Sequence, residues 1–411
     1  MGKINSNKDK NESKSDGKQG AFFYWGIIIV FVYLVVSFIA MQRIVRLDFP
    51  KTYARGHQHL MYPPSGSGYV AIICLVLMVL FVILCHFLIV RRLFKCKRIV
   101  ANILIIIIFF SFMEYFLGEY IKLHPTKYRP HSYLIWELVP NQVYDRQKIS
   151  KKGLRYEEFE AEKMPGEFRF LVIGDSSAFG CGIPDEKRFS DILQDKLQER
   201  YPGKKIRVIN AALEGYSIYQ GRTSYDLRLK KYSPDYLIIG FNNDSSPEGI
   251  KDESRTPPKN LRTLFNLLYK SNTFLFIKKQ TAIVKEKYLS KSLEKMGFPD
   301  ETKWRVPGKD IRTHYNHLID DVKKRGGGVI ILSMPLPENE YNSQFPVLRY
   351  REIIREIAKN TDSIFIDFYG EWRAGPDNDS FFFDNMHPNI KGHKRIVEEI
   401  YREIVERDIV K

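Results

Sequence analysis

The sequence predicts an α/β protein, a parallel sheet with helices on both faces, preceded by three transmembrane helices. Three observations predict it. From residue 168 onward, short β-rich apolar runs alternate with helical segments, as in a parallel sheet whose crossovers are helices. Before residue 120 there are three apolar runs of near-membrane length. Between the two patterns lies a stretch, 122–165, that carries Pro and Tyr and follows neither period.

The elements follow in order. Residues 1–20 are Lys, Asn, Ser, Asp and Gly with almost no apolar content. They cannot bury a core and read as a disordered cytoplasmic tail. The membrane anchor, 21–121, holds the runs 22–41, 69–90 and 99–118. At about 1.5 Å per residue, about 20 residues span the hydrocarbon of a bilayer, about 30 Å. A signal peptide would have a shorter core and a small-residue cleavage site. Glu114 and Glu119 fall at the end of the third run, so they read as carboxylates at the interface rather than a site within the membrane.

Orientation follows from the basic flanks. The tail has five lysines, and 91–98 has five basic residues in eight. The loop between the first two runs spreads Arg43, Arg46, Lys51 and Arg55 over a longer stretch. The Lys/Arg bias keeps the N-terminus in the cytoplasm, and three crossings leave the C-terminal domain on the outer face.

The charge supports this reading. The 411 residues carry a net +16, and residues 1–121 hold 14 Lys/Arg against 6 Asp/Glu, half of that excess. Anionic lipid headgroups suffice as the partner. No zinc-finger spacing and no basic stripe with interleaved aromatics is present, so nucleic acid is not expected. Cys74, Cys85, Cys96 and Cys181 show no staple spacing. No Walker loop, dinucleotide glycine motif or clustered metal ligands occur, so neither cofactor nor metal is expected.

After the connector 122–165, the domain 166–411 reads as strand 168–174, helix 188–201, strand 206–211, helix 219–231 and strand 236–241. A helix marked by Ile311, Tyr315, Leu318 and Val322 follows, then strand 329–334, helix 347–359, strand 364–368 and a closing helix 390–407. Residues of about 245–305 break the rhythm with a long, basic, aromatic-rich stretch. It reads as a lid-like insertion over the site; a helical packing insertion fits it equally.

The chemistry sits at strand ends, where parallel sheets hold their ligands. Gly174-Asp175-Ser176-Ser177-Ala178-Phe179-Gly180 closes the first strand. A small residue there lets the chain turn sharply and sets Ser176 near a helix start, where N–H groups face developing negative charge. Alone, the triplet is better explained as a helix cap. Asp384-Asn385-Met386-His387-Pro388 changes that. Asp384 can reach back to one ring nitrogen of His387, leaving the other for Ser176. His314, His317 and His393 lack such a carboxylate. Gly215 follows the second strand, and Asn242-Asn243-Asp244 follows the third. The N–H groups of Ser176 and Gly215 with one Asn amide would make an oxyanion hole. Cys181 reads as a small packing residue, with no basic group beside it.

Four such elements in order resemble the SGNH hydrolases, also called the GDSL lipase/esterase family: FRFLVIGDSSAFG, the Gly of NAALEGYS, FNND and DNMHP. The resemblance runs from about residue 150 to the end, outside the insertion. Gly153-Leu154-Arg155 also look like the lead-in of many bacterial members. It implies a flavodoxin-like three-layer α/β/α domain, a metal-independent serine mechanism and acyl esters as substrates, often acetyl groups on carbohydrate. Two departures stand out. Gly240-Phe241-Asn242-Asn243-Asp244 fits the family's Gly-x-Asn-Asp in two ways: the Asn-Asp pair selects Asn243, which is preferred, and the Gly offset selects Asn242. The Gly-x-Ser-x-Gly elbow of the α/β-hydrolase fold is absent, since Ala178 stands at its last glycine. The expectation is a membrane-anchored serine esterase with Ser176, His387 and Asp384 as its triad. An O-acyltransferase acting on a surface polysaccharide and a non-catalytic glycan-binding membrane protein are the alternatives.

Overall fold

The computed structural model describes residues 80, 83, 95–123, 126–144, 147–245, 251–275, 301–337, 345–372 and 378–410. The first expected span, most of the second and the middle of the insertion lie outside them. The chain divides into two compact units, one of Met1–Pro125 with Lys270–Ala282, the other of Thr126–Tyr269 with Ile283–Lys411.

In the first unit the third apolar run is a helix, α1 (Lys95–Leu123), 29 residues long. Its side chains are described in part, and among the described residues no helix is long and apolar enough to cross a membrane. Near its end the Glu114 carboxylate accepts the N–H groups of Asn272 (2.6 Å) and Thr273 (3.1 Å) and the Ser271 hydroxyl (2.8 Å). Within this unit it is thus tied to the segment 271–273 of the insertion.

The second unit opens with two hairpins, β1 (Tyr128–His131) with β2 (Ile135–Leu138) and β3 (Gln142–Tyr144) with β4 (Gln147–Ile149). The central sheet follows: β5 (Glu167–Gly174), the short α2 (Ser176–Phe179), α3 (Phe189–Arg200), β6 (Lys205–Asn210), α4 (Ile218–Ser224) and β7 (Tyr236–Gly240). The insertion contributes α5 (Arg262–Leu268). Then come α6 (Gly308–Lys324), β8 (Gly328–Ser333), α7 (Phe345–Asn360), β9 (Ile364–Asp367), the one-turn α8 (Phe368–Trp372) and α9 (Ile390–Glu406). The five strands are all parallel, in the order β6-β5-β7-β8-β9.

Leu171, Val172, Leu237, Ile238, Ile330 and Ile331 are fully buried, which is why these strands read as unbroken apolar runs rather than alternating ones. α3 packs against α9, while α4, α6 and α7 form another group. The chain leaves β5 toward β6, then returns past it to β7. Right-handed crossovers in opposite directions put their helices on opposite faces. The reversal opens a crevice at the carboxyl ends of β5 and β7, the place where doubly wound sheets take ligands.

The segment 126–165 is part of this unit and not a free linker. Buried Arg169 on β5 donates to the carbonyls of Glu160, Ala161, Glu162 and Tyr232 and pairs with Glu167 at 2.8 Å. A buried guanidinium is tolerable only with such a shell of acceptors. The helix expected over 219–231 is present, but it is α-helical only to Ser224. After Ser224 the chain widens into a π turn (Tyr225–Leu229) and a 3-10 turn (Lys230–Tyr232), closed by Ser233 in the left-handed region, φ 47°.

Candidate active site

The site begins at the end of β5. A Cβ on Gly174 would stand 2.2 Å from the Gly240 carbonyl oxygen and 2.5 Å from Ala178 Cβ. Only glycine lets β5, β7 and α2 approach so closely. Asp175 then caps α2: its Oδ1 accepts the Ser177 N–H (3.1 Å) and its Oδ2 the Asn242 N–H (2.5 Å). It thereby stitches the turn after β5 to the end of β7. Ser176, the first residue of α2, is 2% exposed.

The second half of the site comes from the segment before α9. An antiparallel bridge joins Phe382 to Pro388, and the Phe383 N–H donates to the His387 carbonyl at 3.2 Å. Asn389 caps α9 through the N–H groups of Lys391 and Gly392. Pinned from both sides, the turn leaves His387 little choice of position. Its Nε2 lies 2.9 Å from Ser176 Oγ and its Nδ1 2.7 Å from Asp384 Oδ2. Asp384 Oδ1 also accepts the N–H groups of Met386 (2.9 Å) and His387 (2.7 Å). Partial burial works against its charge, but the His387 ring and these two N–H groups hold the Asp384 carboxyl below the usual carboxylate range. An ionised Asp384 takes the proton side of Nδ1 and turns the lone pair of Nε2 to the serine hydroxyl. Ser176, 211 positions before His387, thus joins His387 and Asp384 in one hydrogen-bonded chain.

Gly215 lies in the turn after β6, at φ +71°. That turn is fixed on β5 by the Leu213 N–H on the Gly174 carbonyl, 3.0 Å. Trp136 of β2 covers it: a Cβ on Gly215 would meet Trp136 Cζ2 at 3.2 Å, and Trp136 Nε1 donates to the Glu214 carbonyl at 3.3 Å. Beneath, the buried Glu214 carboxylate accepts Lys127 Nζ at 2.7 Å and the Tyr128 hydroxyl. Burial would raise its pKa, but Lys127 and these hydrogen bonds hold it low. Burial, then the Glu214 charge, pushes the Cys181 thiol up, which suits a packing residue and not a nucleophile.

The two asparagines differ. Asn242, held by Asp175 one residue before the serine, buries its amide nitrogen without a hydrogen bond to any described residue. Asn243 opens a 3-10 turn, and its side chain is outside the described set. Asp244 faces the interior: its carboxylate accepts the Ile218 N–H (2.7 Å) and the Tyr350 hydroxyl (3.0 Å), and burial pushes its pKa up to about 7.

The rival histidines His314, His317 and His393 have other partners. His314 is pushed down to about 4 by burial and Arg222. His317 meets Asp226 at 3.0 Å. His393 on α9 accepts the Phe189 N–H at 3.0 Å. Among the described residues no group of three His, Cys, Asp or Glu side chains could hold a metal ion.

Sequence reasoning missed the bridging role of Asp175, the cover by Trp136 and the Glu214–Lys127 pair. Asp175 was visible as a cap. Trp136 lies in a four-residue strand and Lys127 immediately before another, both too short for a periodic signal. Arg155, noted in the lead-in, donates to the Gly180 carbonyl (2.9 Å) and Asp185 (2.7 Å) and so holds the loop after α2.

A parallel α/β domain with Ser, His and Asp hydrogen-bonded in series at the switch point of its sheet is the arrangement that the SGNH resemblance implies. The sequence model of the GDSL-like lipase/acylhydrolase family matches residues 172–395, more than half the chain, and the chain belongs to that family. An arylesterase of Vibrio mimicus is 29% identical over 104 residues, 24% of this chain and 48% of that protein. The chain thus matches about half the length of this curated relative. Solved structures of similar fold include a lipase/acylhydrolase from Enterococcus faecalis, 15% identical with a TM-score of 0.39, covering 58% of this chain and 96% of that one. Another is the acetylxylan esterase Axe2 from Geobacillus stearothermophilus, 17% identical with a TM-score of 0.38, covering 59% and 96%.

Proposed function

We propose that this chain is a membrane-anchored serine esterase that removes acyl groups, acetyl above all, from carbohydrate esters at the outer face. The observation that carries the reading is the unbroken hydrogen-bond series from Ser176 Oγ through His387 to Asp384. Ser176 Oγ attacks the ester carbonyl and gives its proton to His387 Nε2. Asp384 holds the imidazolium that forms. The proton then passes to the leaving alcohol, the C–O bond breaks, and the acyl group stays on Oγ. Water repeats the sequence and frees the acid. The N–H groups of Ser176 and Gly215 with the Asn242 amide hold the oxyanion. The buried Asn242 amide nitrogen has no acceptor among the described residues, which favours Asn242 over Asn243, since such a donor is costly unless an acceptor meets it during turnover.

The acetyl and carbohydrate parts rest on the family resemblance. The anchor rests on the apolar runs and their basic flanks. Full-length protein in detergent should release p-nitrophenol from p-nitrophenyl acetate, free acetate from an acetylated polysaccharide, and label with a fluorophosphonate. Ser176→Ala should lose all three. A folded Ser176→Ala protein that keeps them overturns the reading.

A further inference from the structure

Phe383, one residue before Asp384, is 49% exposed, unusual for a phenylalanine in a tightly pinned turn. Its ring lies nearly parallel to the His387 imidazole, 15° between planes and 5.7 Å between centroids. Its edge rests on the loop after α2, where a Cβ on Gly182 would meet Phe383 Cζ at 2.7 Å. The ring is therefore wedged between the imidazole and a glycine with no side chain to displace it, and the rest of its surface faces solvent.

Position decides what such a ring touches. In acylation, Nε2 hands its proton to the oxygen of the departing alcohol, so that alcohol must lie within hydrogen-bond reach of the imidazole. The acyl chain, by contrast, hangs from the carbon held at Ser176 and the oxyanion donors. A group stacked on His387 thus borders the alcohol.

We propose that Phe383 is the wall of the alcohol subsite and selects esters whose alcohol presents a flat apolar face, such as the C–H face of a pyranoside or an aryl ring. The inference rests on the Ser176–His387 reading above and adds the substrate's alcohol class to it. Burial of such a face on an aromatic ring is favourable by area and by ring geometry. No bond forms at Phe383; it acts on affinity and on the placement of the leaving oxygen.

All acetates pass through the same acetyl-enzyme, from which the alcohol has gone. Loss of the ring should therefore leave hydrolysis of that intermediate unchanged. The test compares Phe383→Ala and Phe383→Tyr with the full-length wild type on ethyl acetate, phenyl acetate and an acetylated methyl xyloside. A second series, ethyl esters of increasing acyl length, probes the other side. Phe383→Ala should lose about tenfold in kcat/KM on the two ring alcohols through KM, and little on ethyl acetate. Phe383→Tyr should restore most of it. Losses on both ring alcohols carry the general proposal; a loss on one alone assigns the wall to that class.

Equal loss on all three acetates, or a loss that follows acyl length, overturns the proposal while turnover still depends on Ser176. Turnover that survives Ser176→Ala overturns the underlying reading instead.

Discussion

At the residue scale, the candidate site hangs on short hydrogen bonds that fix each group's partner, His387 between Ser176 and Asp384. Asp384 three residues before His387 was readable because a carboxylate can meet its neighbour's ring across one turn, and it does so at 2.7 Å. The choice between Asn242 and Asn243 was not readable, since spacing from Gly240 and pairing with the aspartate point to different residues. It turns on whether the chain spends one or two residues leaving β7. The Asn242 N–H on Asp175, and an amide nitrogen without a hydrogen bond to any described residue, are what favour Asn242 in the proposed oxyanion hole. Asn242→Ala should lower kcat by about 10²–10³ with a modest change in KM, the range for one oxyanion donor. Asn243→Ala should fall far short of that. Steady-state kinetics on p-nitrophenyl acetate decides, and the reverse order would return the role to Asn243.

At the element scale, the long parallel strands and the amphipathic α6 and α9 were readable because burial on two faces and on one stripe leave different periods. Three features were not. The strands β1 to β4 have three or four residues each, too few alternations to leave a period. The change from α4 to a π turn after Ser224 and the left-handed Ser233 that closes the following 3-10 turn are demanded by nothing in the local pattern. The insertion's roots were hidden too. Asp252 and Arg305, 53 residues apart, meet at 2.9 Å in the interior, with Asp252 also accepting the Ser217 hydroxyl and Arg305 donating to Gln220. The insertion is thus clamped onto the cap of α4, close behind Gly215. The tightest junction is Gly174, where an added methyl would meet backbone and another Cβ rather than a side chain that could swing away. Gly174→Ala should lower stability by about 2 kcal/mol, in the range of overpacked cores, and should lose turnover as α2 is pushed from β7. Gly203→Ala, where a Cβ meets nothing within 4 Å, is the control. Urea midpoints of the two variants check this, and equal midpoints would contradict the close approach of the strands.

At the scale of the whole molecule, buried titratable groups make stability depend on pH from two directions. His393 is neutral in the interior, where burial, Arg188 and Arg155 push it down to about 3. Its unfolded form takes a proton near 6.5, so its contribution is whole above that pH and is lost as pH falls toward 3. Asp244 has the opposite sign. Its folded pKa of about 7 lies above the model-peptide value of about 3.9, so the folded state keeps a proton that the unfolded state has given up. Its contribution is whole below about pH 4 and is lost as pH rises through 7. Between those limits the two slopes oppose each other, and neither is visible in a single unfolding curve. Asp244→Asn separates them. An asparagine keeps an oxygen for the Ile218 N–H and an amide that can donate to the Tyr350 hydroxyl, but it holds no titrating proton. The stability of Asp244→Asn relative to wild type should therefore rise steadily from pH 4 to pH 7 and then level off, read as the difference in urea midpoint at each pH. A difference that stays flat across that range would mean that Asp244 is ionised in the folded protein, with its neighbours stabilising the charge.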